Sequence, residues 1–365
     1  MLNIIHAADF HLDSPFRALP PEKAAARRGE QRALLERLAG LVRETGADLV
    51  LLAGDLLDSS RLYQETAQAL ARALGTLGVP VFLSPGNHDP YGPRAPYATL
   101  AWPDNVHIFT APELTAVPLP HLGCVVHGCA FTSHSRDSSP LEGFSAPDDG
   151  LLHLLCLHGD VGGSTGRYGP IDPDALAASG VHYAALGHIH ACSGLQYAGA
   201  VPWAYPGCPE GRGFDETGDK GVLQVSVGRE RCSARFIPLA KRRYEILEVD
   251  VSEDPPGTLA AALPAAPSDD ICRILLTGES DLAGLPLADL EAMAAPFYYS
   301  VTLRDRTTVR RDLWAREGED TLTGLFLREM RTRLDACTDP EAGARVEQAV
   351  RFGLAALEGG EDCQP

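Results

Sequence analysis

The chain has 365 residues, 45% of them hydrophobic and 22% charged, an ordinary balance for a globular protein. At about 100–200 residues per domain it accommodates two domains and a small third piece. Thirty-one Lys and Arg stand against 49 Asp and Glu, giving a formal net charge of −18. That charge disfavours broad binding of phosphate backbones by the whole surface. No run of about 18 apolar residues occurs, so no membrane-spanning helix is expected. The nine Cys are scattered and form no CxxC pair. A zinc ribbon or dense disulfide framework is therefore excluded, and reduced thiols in a cytoplasm are expected. The opening MLNIIHAADFH places no basic segment before an apolar run, so no secretory leader is expected.

The first half alternates strand and helix patterns. A short strand over Asn3–Ala8 runs into Asp9-Phe10-His11. Residues from Pro21 to Glu44 carry Leu34, Leu35, Leu38, Leu41 and Val42 at helical spacing. A buried strand over Asp48–Ala53 is followed at once by Gly54-Asp55. A helix over Thr66–Leu77 precedes a strand over Val79–Leu83, which leads into Pro85-Gly86-Asn87-His88-Asp89. This order implies βαβ units. Short strands with Pro and Gly turns fill residues 106–130. Two more buried strands, Leu151–Leu157 and Val181–Leu186, end at His158 and at Gly187-His188-Ile189-His190. Gly221–Pro238 reads as a hairpin. Two sheets packed face to face and flanked by helices fit this order.

Beyond residue 240 the texture changes. Tyr244–Val251 and Ile271–Leu276 read as strands joined by a Pro/Ala/Asp-rich stretch, Asp254–Asp270. Leu287–Ala294 reads as a helix and Tyr298–Leu303 as a strand. Helical patterns over Leu322–Cys337 and Ala342–Leu357 follow, with a Thr-Asp-Pro break between them. The expected division is 1–240, 241–305 and 306–365.

Five polar clusters sit at predicted strand ends: Asp9-x-His11, Gly54-Asp55-x-x-Asp58, Gly86-Asn87-His88-Asp89, His158-Gly159-Asp160 and Gly187-His188-x-His190. Loops beyond the carboxyl ends of strands are where α/β sheets bind ligands, so the five clusters are expected to converge. Residues at i and i+2 on extended backbone point the same way, so Asp9 pairs with His11 and His188 with His190. The donors are Asp9, Asp55, Asn87, His11, His158, His188 and His190. Seven nitrogen and oxygen donors exceed the needs of one ion and suit two. Mixed imidazole and carboxylate donors favour Mn, Fe, Zn or Ni over Ca or Mg. Two such ions about 3.5–4 Å apart can activate water and stabilise both oxygens of an in-line phosphoryl displacement.

This motif series resembles that of the calcineurin-like metallophosphoesterase superfamily: DxH, GDxxD, GNHD, H and GHxH. The resemblance implies a four-layer αββα sandwich around a dinuclear metal centre, Mn being the first expectation. It implies one ion held by Asp9, His11, Asp55 and His190, and a second by Asp55, Asn87, His158 and His188, with Asp55 bridging. His88 is then the imidazole beside the scissile phosphate, and Asp58 a hydrogen-bond partner that fixes the His88 tautomer. The opening ADFHLDSPF and the loop Tyr205–Gly221 (YPGCPEGRGFDETGDKG) resemble the DNA repair exonucleases of the SbcD/YhaO type. That narrower likeness implies a small α+β capping domain and C-terminal helices that dock an SMC-like ATPase. Leu322, Leu325, Phe326, Met330 and Leu334 are the expected docking face, and homodimerisation is compatible with it.

The expected activity is hydrolysis of DNA phosphodiesters, by exonuclease or endonuclease action, in repair. The strong acidity keeps a second reading open, a phosphodiesterase for a small nucleotide or diester. A third is a scaffold subunit, which the full donor set opposes. Candidate cationic contacts for a phosphate backbone are Arg27-Arg28, Lys241-Arg242-Arg243, and Arg304 with Arg306, Arg310 and Arg311. Arg212 and Lys220 lie in the Tyr205–Gly221 loop and could approach a substrate.

Overall fold

The computed structural model describes residues 1–357 apart from 18, 60–61, 164–165, 281–283 and 310–311. In chain order its strands are β1 (Leu2–Ala7), β2 (Leu49–Leu52), β3 (Val81–Leu83), β4 (Val106–Ile108), β5 (Thr115–Leu119), β6 (Cys124–Gly128), β7 (Leu152–His158), β8 (Asp160–Val161), β9 (Pro170–Ile171), β10 (Tyr183–Gly187), β11 (Gln196–Ala198), β12 (Val201–Ala204), β13 (Gly221–Val227), β14 (Cys232–Pro238), β15 (Tyr244–Asp250), β16 (Ile271–Thr277), β17 (Glu279–Ser280), β18 (Ser300–Asp305) and β19 (Thr308–Val309). The helices are α1 (Pro21–Thr45), α2 (Gln64–Gly75), α3 (Pro96–Thr99), α4 (Pro173–Ala178), α5 (Pro255–Ala262), α6 (Leu287–Ala294), α7 (Leu322–Asp335) and α8 (Pro340–Leu357). The chain divides into two compact units. One comprises Met1–Leu247, Leu263–Ile274 and Glu291–Leu303; the other comprises Glu248–Ala262, Leu275–Leu290 and Arg304–Pro365.

The first unit is an α/β sandwich of two six-stranded sheets, ordered β14-β13-β1-β2-β3-β4 and β11-β12-β10-β7-β6-β5. In each sheet the central strands run parallel. β1 pairs β2 (Ile4 opposite Leu49), and β7 pairs β10 (Leu154 opposite Tyr183). Their near-continuous apolar runs follow from burial on both faces. In β1, Leu2 and Ile4 point between the sheets with Leu49, Leu51, Phe82, Leu154 and Tyr183. Ile5 and Ala7, on the opposite face, pack with Leu34, Leu38 and Leu70 of α1 and α2. The period-two alternation thus divides β1 between two cores. The outer face of the second sheet is covered by α4 and by Leu141 and Phe144. This fourth layer is thin: α4 has six residues, started by the Asp172 side chain accepting the Asp174 N–H at 2.9 Å.

His6 lies between the sheets with no exposure. Its Nδ1 meets the Tyr183 hydroxyl at 2.8 Å and its Nε2 the Leu186 carbonyl at 3.1 Å. A carbonyl only accepts, so Nε2 carries the proton and Nδ1 accepts from Tyr183. Burial pushes its pKa down to about 3 against the helping Leu186 bond. The unfolded chain therefore binds this proton below the free value of about 6.5 while the native chain does not. His6 contributes fully above that pH, and the contribution falls as pH drops toward 3. At pH 5 this one group should cost about 2 kcal/mol relative to pH 7. Guanidinium unfolding of metal-free protein at the two pH values checks this: His6→Phe should lose less stability on acidification than wild type, and an equal loss would refute the assignment.

Strands β15, β16 and β18 form a separate sheet in the order β15-β16-β18. Residues 254–270, expected to be an irregular connection, contain helix α5. Asp254 accepts the Gly257 N–H at 3.1 Å, and Pro255 opens the helix where its missing N–H costs nothing. In the second unit α7 and α8 pack through Leu327, Met330 and Val350, joined by Phe326, Leu354 and Trp314. The sequence-derived apolar face of α7 is therefore divided. Phe326 and Met330 serve this core, whereas Leu322 and Leu325 remain 69% and 57% exposed. No helix among the described residues is long and apolar enough to cross a membrane.

Candidate metal centre

The loops that follow β1, β2, β3, β7 and β10 meet at one edge of the sandwich. The loops after β1 and β2 run side by side, with Asp9 N–H donating to Gly54 O and His11 N–H to Asp55 O, both at 3.0 Å. Among the described residues, six non-glycines have positive φ, and four of them are sequence-predicted donors: Asp9 (55°), His11 (43°), Asp55 (49°) and His188 (113°). The αL region is costly for side chains of this kind and persists where surrounding structure over-determines it. Gly86 allows the closest approach of the third loop. A Cβ there would lie 2.2 Å from Asp55 Oδ1.

The side chains form three overlapping groups, one of them His11 with Asp58 and His88. Donor atoms of Asp9, His11 and His190 lie within 4.8 Å of one another, and so do those of Asp9, Asp55 and His158. Asp55 Oδ2 is 3.7 Å from His11 Nε2 and 3.4 Å from His158 Nε2, so it reaches toward both sides. His158 Nε2 is 2.9 Å from Asn87 Oδ1. His188 stands edge-on to His158, ring centroids 5.3 Å apart, and its backbone N–H donates to Asp9 at 3.1 Å. All seven predicted donors are therefore brought to one place.

The donor chemistry fits divalent cations. His158 Nδ1–H donates to the Ala53 carbonyl at 2.9 Å, which leaves its Nε2 lone pair inward. His190 Nδ1 is 2.7 Å from Glu216 Oε1, which fixes the same tautomer. His11 Nε2 and His190 Nε2 then face each other at 3.2 Å, an arrangement that a cation between them satisfies. His11 Nδ1 is buried without a well-aligned hydrogen-bond partner, lying 3.4 Å from Asp58 Oδ1. Burial pushes the His11 and His188 imidazoles down to about 4, so both offer lone pairs at neutral pH. Burial, then the Asp55 charge, raises the Asp9 carboxyl well above its usual range. Arg212 and Lys220 reach the His190 end of this cluster of buried carboxylates and neutral imidazoles, and buried carboxylates need such compensating charge.

His88 is exposed beside this cluster, its ring edge-on to His11 at 4.8 Å between centroids, while its backbone N–H donates to Asp55 Oδ1 at 2.9 Å. Asp58 and His88 come together with His11, their donor atoms within 4.8 Å of one another, without the expected Asp58–His88 hydrogen bond. Asp58 instead accepts from Ser14 Oγ at 3.0 Å and from Arg212 at 3.4 Å, and faces His11. Ser14 and Arg212 hold the carboxylate on the His11 side.

Other contributors were missed in the sequence. Gln31 of α1 donates to the His11 carbonyl at 3.1 Å. Asp89 takes the Gly86 and Leu57 N–H groups at 2.7 and 3.0 Å, and the Tyr97 hydroxyl. Burial, then Asp55, pushes Asp89 up to about 7. His134 meets the Asn87 carbonyl at 2.8 Å. Glu216 carries no spacing signal, because it reaches His190 from 26 residues away through an irregular loop. Asp89 stood in the GNHD run and Glu216 in the quoted Tyr205–Gly221 loop, but neither was assigned a role.

The cationic clusters proved different from their sequence reading. Arg27 is fully buried against Glu210 and Glu30. Arg242 pairs with Glu30 at 2.7 Å and Asp269 at 3.0 Å, and Arg243 with Asp270 at 3.0 Å. Lys220 is buried and nears the His190 carbonyl at 3.5 Å. Arg27, Arg242 and Lys220 are thus buried within the fold, whereas Arg243 and Lys241 keep about half of their side chains exposed. Arg304 and Arg306 are exposed, while Arg310 and Arg311 lie outside the described residues.

Two six-stranded sheets bearing this donor set at their shared edge define a metallophosphoesterase, and residues 2–192 match the calcineurin-like phosphoesterase family, to which the chain belongs. Within it, the chain is 33% identical over 264 residues to the uncharacterized metallophosphoesterase YhaO of Bacillus subtilis, covering 69% of this chain and 64% of that one. It is 27% identical over 275 residues to the DNA double-strand break repair protein Mre11 of Aeropyrum pernix, with the same coverage of 69% and 64%. It is 26% identical over 235 residues to Mre11 of Methanopyrus kandleri, covering 60% and 51%. The match thus takes in less than two thirds of the length of each relative.

Proposed function

We propose that the chain is a two-metal phosphodiesterase that cleaves DNA in repair, as exonuclease or endonuclease, in concert with an SMC-like ATPase. The observation that carries the chemistry is the convergence of Asp9, Asp55, His11, His158 and His190 with their imidazole Nε2 lone pairs turned inward. Asp9, His11, His190 and Asp55 would hold one ion, and Asp55, Asn87, His158 and His188 the other, with Mn first among Mn, Fe, Zn and Ni. Such ions supply Lewis-acid charge to the phosphodiester and lower the pKa of an attacking water. The surrounding protein supplies the rest. Buried Asp9 and Asp55 fix the centre, and the His88 N–H orients Asp55. The exposed His88 ring is placed to give a proton to the departing oxygen as the phosphorus–oxygen bond breaks. Asp58, held by Ser14 and Arg212, presents its charge to His11.

The DNA reading is supported by the similarity to two Mre11 proteins. In it, residues 241–305 form a capping domain over the substrate, and residues 306–365 dock the ATPase, with exposed Leu322 and Leu325 as anchors. A cytoplasmic setting is part of this reading. A small nucleotide or phosphodiester is the second reading, favoured by the net charge of −18 and by the internal pairing of Arg27 and Arg242.

Hydrolysis of a linear duplex and of a chromogenic diester, both with Mn, separates the two. Cleavage of the duplex, alone or with the ATPase, supports the first; cleavage of the diester only supports the second. In either case His88→Ala should lower kcat roughly 10²–10⁴-fold with metal content unchanged. Retention of activity within threefold would remove His88 from the chemistry.

A further inference from the structure

The loop between β12 and β13 contacts one candidate ligand, His190, at both of its ends. The His190 carbonyl accepts from the Cys208 N–H at 3.2 Å and lies 3.5 Å from Lys220 Nζ. Gly207, at φ +77°, lets the loop pass. A Cβ there would stand 2.7 Å from that same carbonyl. At the other end, the His190 ring meets Glu216, which is only 4% exposed. Glu216 is itself clamped. Arg212 gives it a backbone N–H at 2.8 Å and guanidinium contacts at 2.6, 3.2 and 3.3 Å. Arg212 Nη2 is also 3.0 Å from His190 Nδ1. One ring nitrogen cannot both donate to Glu216 and accept from Arg212. The shorter contact, to a buried carboxylate, takes the proton. The remaining Arg212 Nη1 reaches Asp58 at 3.4 Å.

We propose that Glu216 and Arg212 are positioning residues that set the metal affinity of the His190 side of the centre and, through Asp58, tie it to the His11–His88 side. The inference rests on the two-metal reading above. Glu216 fixes the tautomer and heading of His190, and raises the basicity of its Nε2. Arg212 holds Glu216 by a planar, multiply bonded contact that Lys cannot reproduce. The loop therefore acts as a backing plate behind His190.

Equilibrium dialysis and Mn electron paramagnetic resonance on the full chain, without substrate, test this. Wild type should bind two Mn ions. Glu216→Gln should weaken one of them about 10–100-fold and leave the other within threefold. Arg212→Met should weaken the same ion, and Arg212→Lys should restore only part of the loss. Nitrogen-15 shifts of the metal-free His190 ring should report the Nδ1–H tautomer in wild type and a mixture in Glu216→Gln. Thermal unfolding of each variant separates lost folding from lost positioning, since a folded Glu216→Gln protein with both affinities intact overturns the proposal. A wild-type protein that binds no Mn would overturn the two-metal reading itself, and the proposal with it.

Discussion

Asp55→Asn is expected to abolish hydrolysis and to remove the stabilisation that Mn gives the protein. Asp55 is the carboxylate that reaches toward both His11 and His158, and it accepts the His88 N–H. Its loss removes the charge expected to be shared by two ions. Metal-supplied stabilisation of a phosphoryl transition state is worth several kcal/mol, so kcat should fall on the order of a thousandfold or more. Without metal two effects oppose each other. Asp55 helps to raise the buried Asp9 and Asp89. Burial works to raise Asp55 as well, yet His158, His11 and His88 hold its own carboxyl below the usual range. Little change in the melting temperature of the metal-free variant is therefore expected. Scanning fluorimetry in chelator and then in excess Mn reads both effects. Wild type should gain stability with Mn and the variant should not. A variant that is still stabilised by Mn, or that keeps a tenth of the activity, would remove Asp55 from the bridging position.

The second large effect lies in the fold. Glu210→Ala should destabilise the protein by about 3–5 kcal/mol, because it leaves the fully buried Arg27 facing no charge on that side. Arg27 also bonds the Gly211 carbonyl at 3.1 Å, lies 5.2 Å from the Phe16 ring, and pairs with Glu30. Burial raises the Glu210 carboxyl even with Arg27 beside it, whereas Glu210 and Glu30 hold the Arg27 guanidinium above its usual value against its own burial. The pair is thus costly on the carboxylate side only, and a buried ion pair is often matched by apolar groups of similar volume. Replacing both partners, Arg27→Met with Glu210→Met, should accordingly recover most of the loss. Denaturant unfolding of the two single variants and the double variant gives the coupling. Additive losses would show that the pair does not act as a unit.

The two-sheet α/β sandwich was legible because its central strands are near-continuous apolar runs, each followed by a polar donor at a turn. That pairing of burial with punctuation also marked Asp9, His11, Asp55, Asn87, His158, His188 and His190. What stayed hidden depends on long-range meeting. Glu216 sits in a loop without periodicity, and its partner is fixed only once β10 and the Tyr205–Gly221 loop are placed together. Helix α5 was hidden because the Asp254–Asp270 stretch was read by its Pro, Ala and Asp content as a connection, whereas Pro255 opens a helix behind Asp254. The division of labour on α7 was misread for a similar reason. Spacing locates an apolar stripe, yet only the neighbouring α8, through Val350, decides that Met330 is covered and Leu325 is not.

The internal pairing of Arg27 and Arg242 has a kinetic consequence. Those ion pairs withdraw equal numbers of cations and anions from solvent, so the whole net charge of −18 is displayed over a surface with fewer compensating cations. A polyanion approaching such a particle meets a repulsive field that reaches about one Debye length, roughly 10 Å at 0.1 M salt. Added salt shortens that reach, so encounter with nucleic acid should accelerate as ionic strength rises, the reverse of the usual behaviour of proteins that grip DNA by its phosphates.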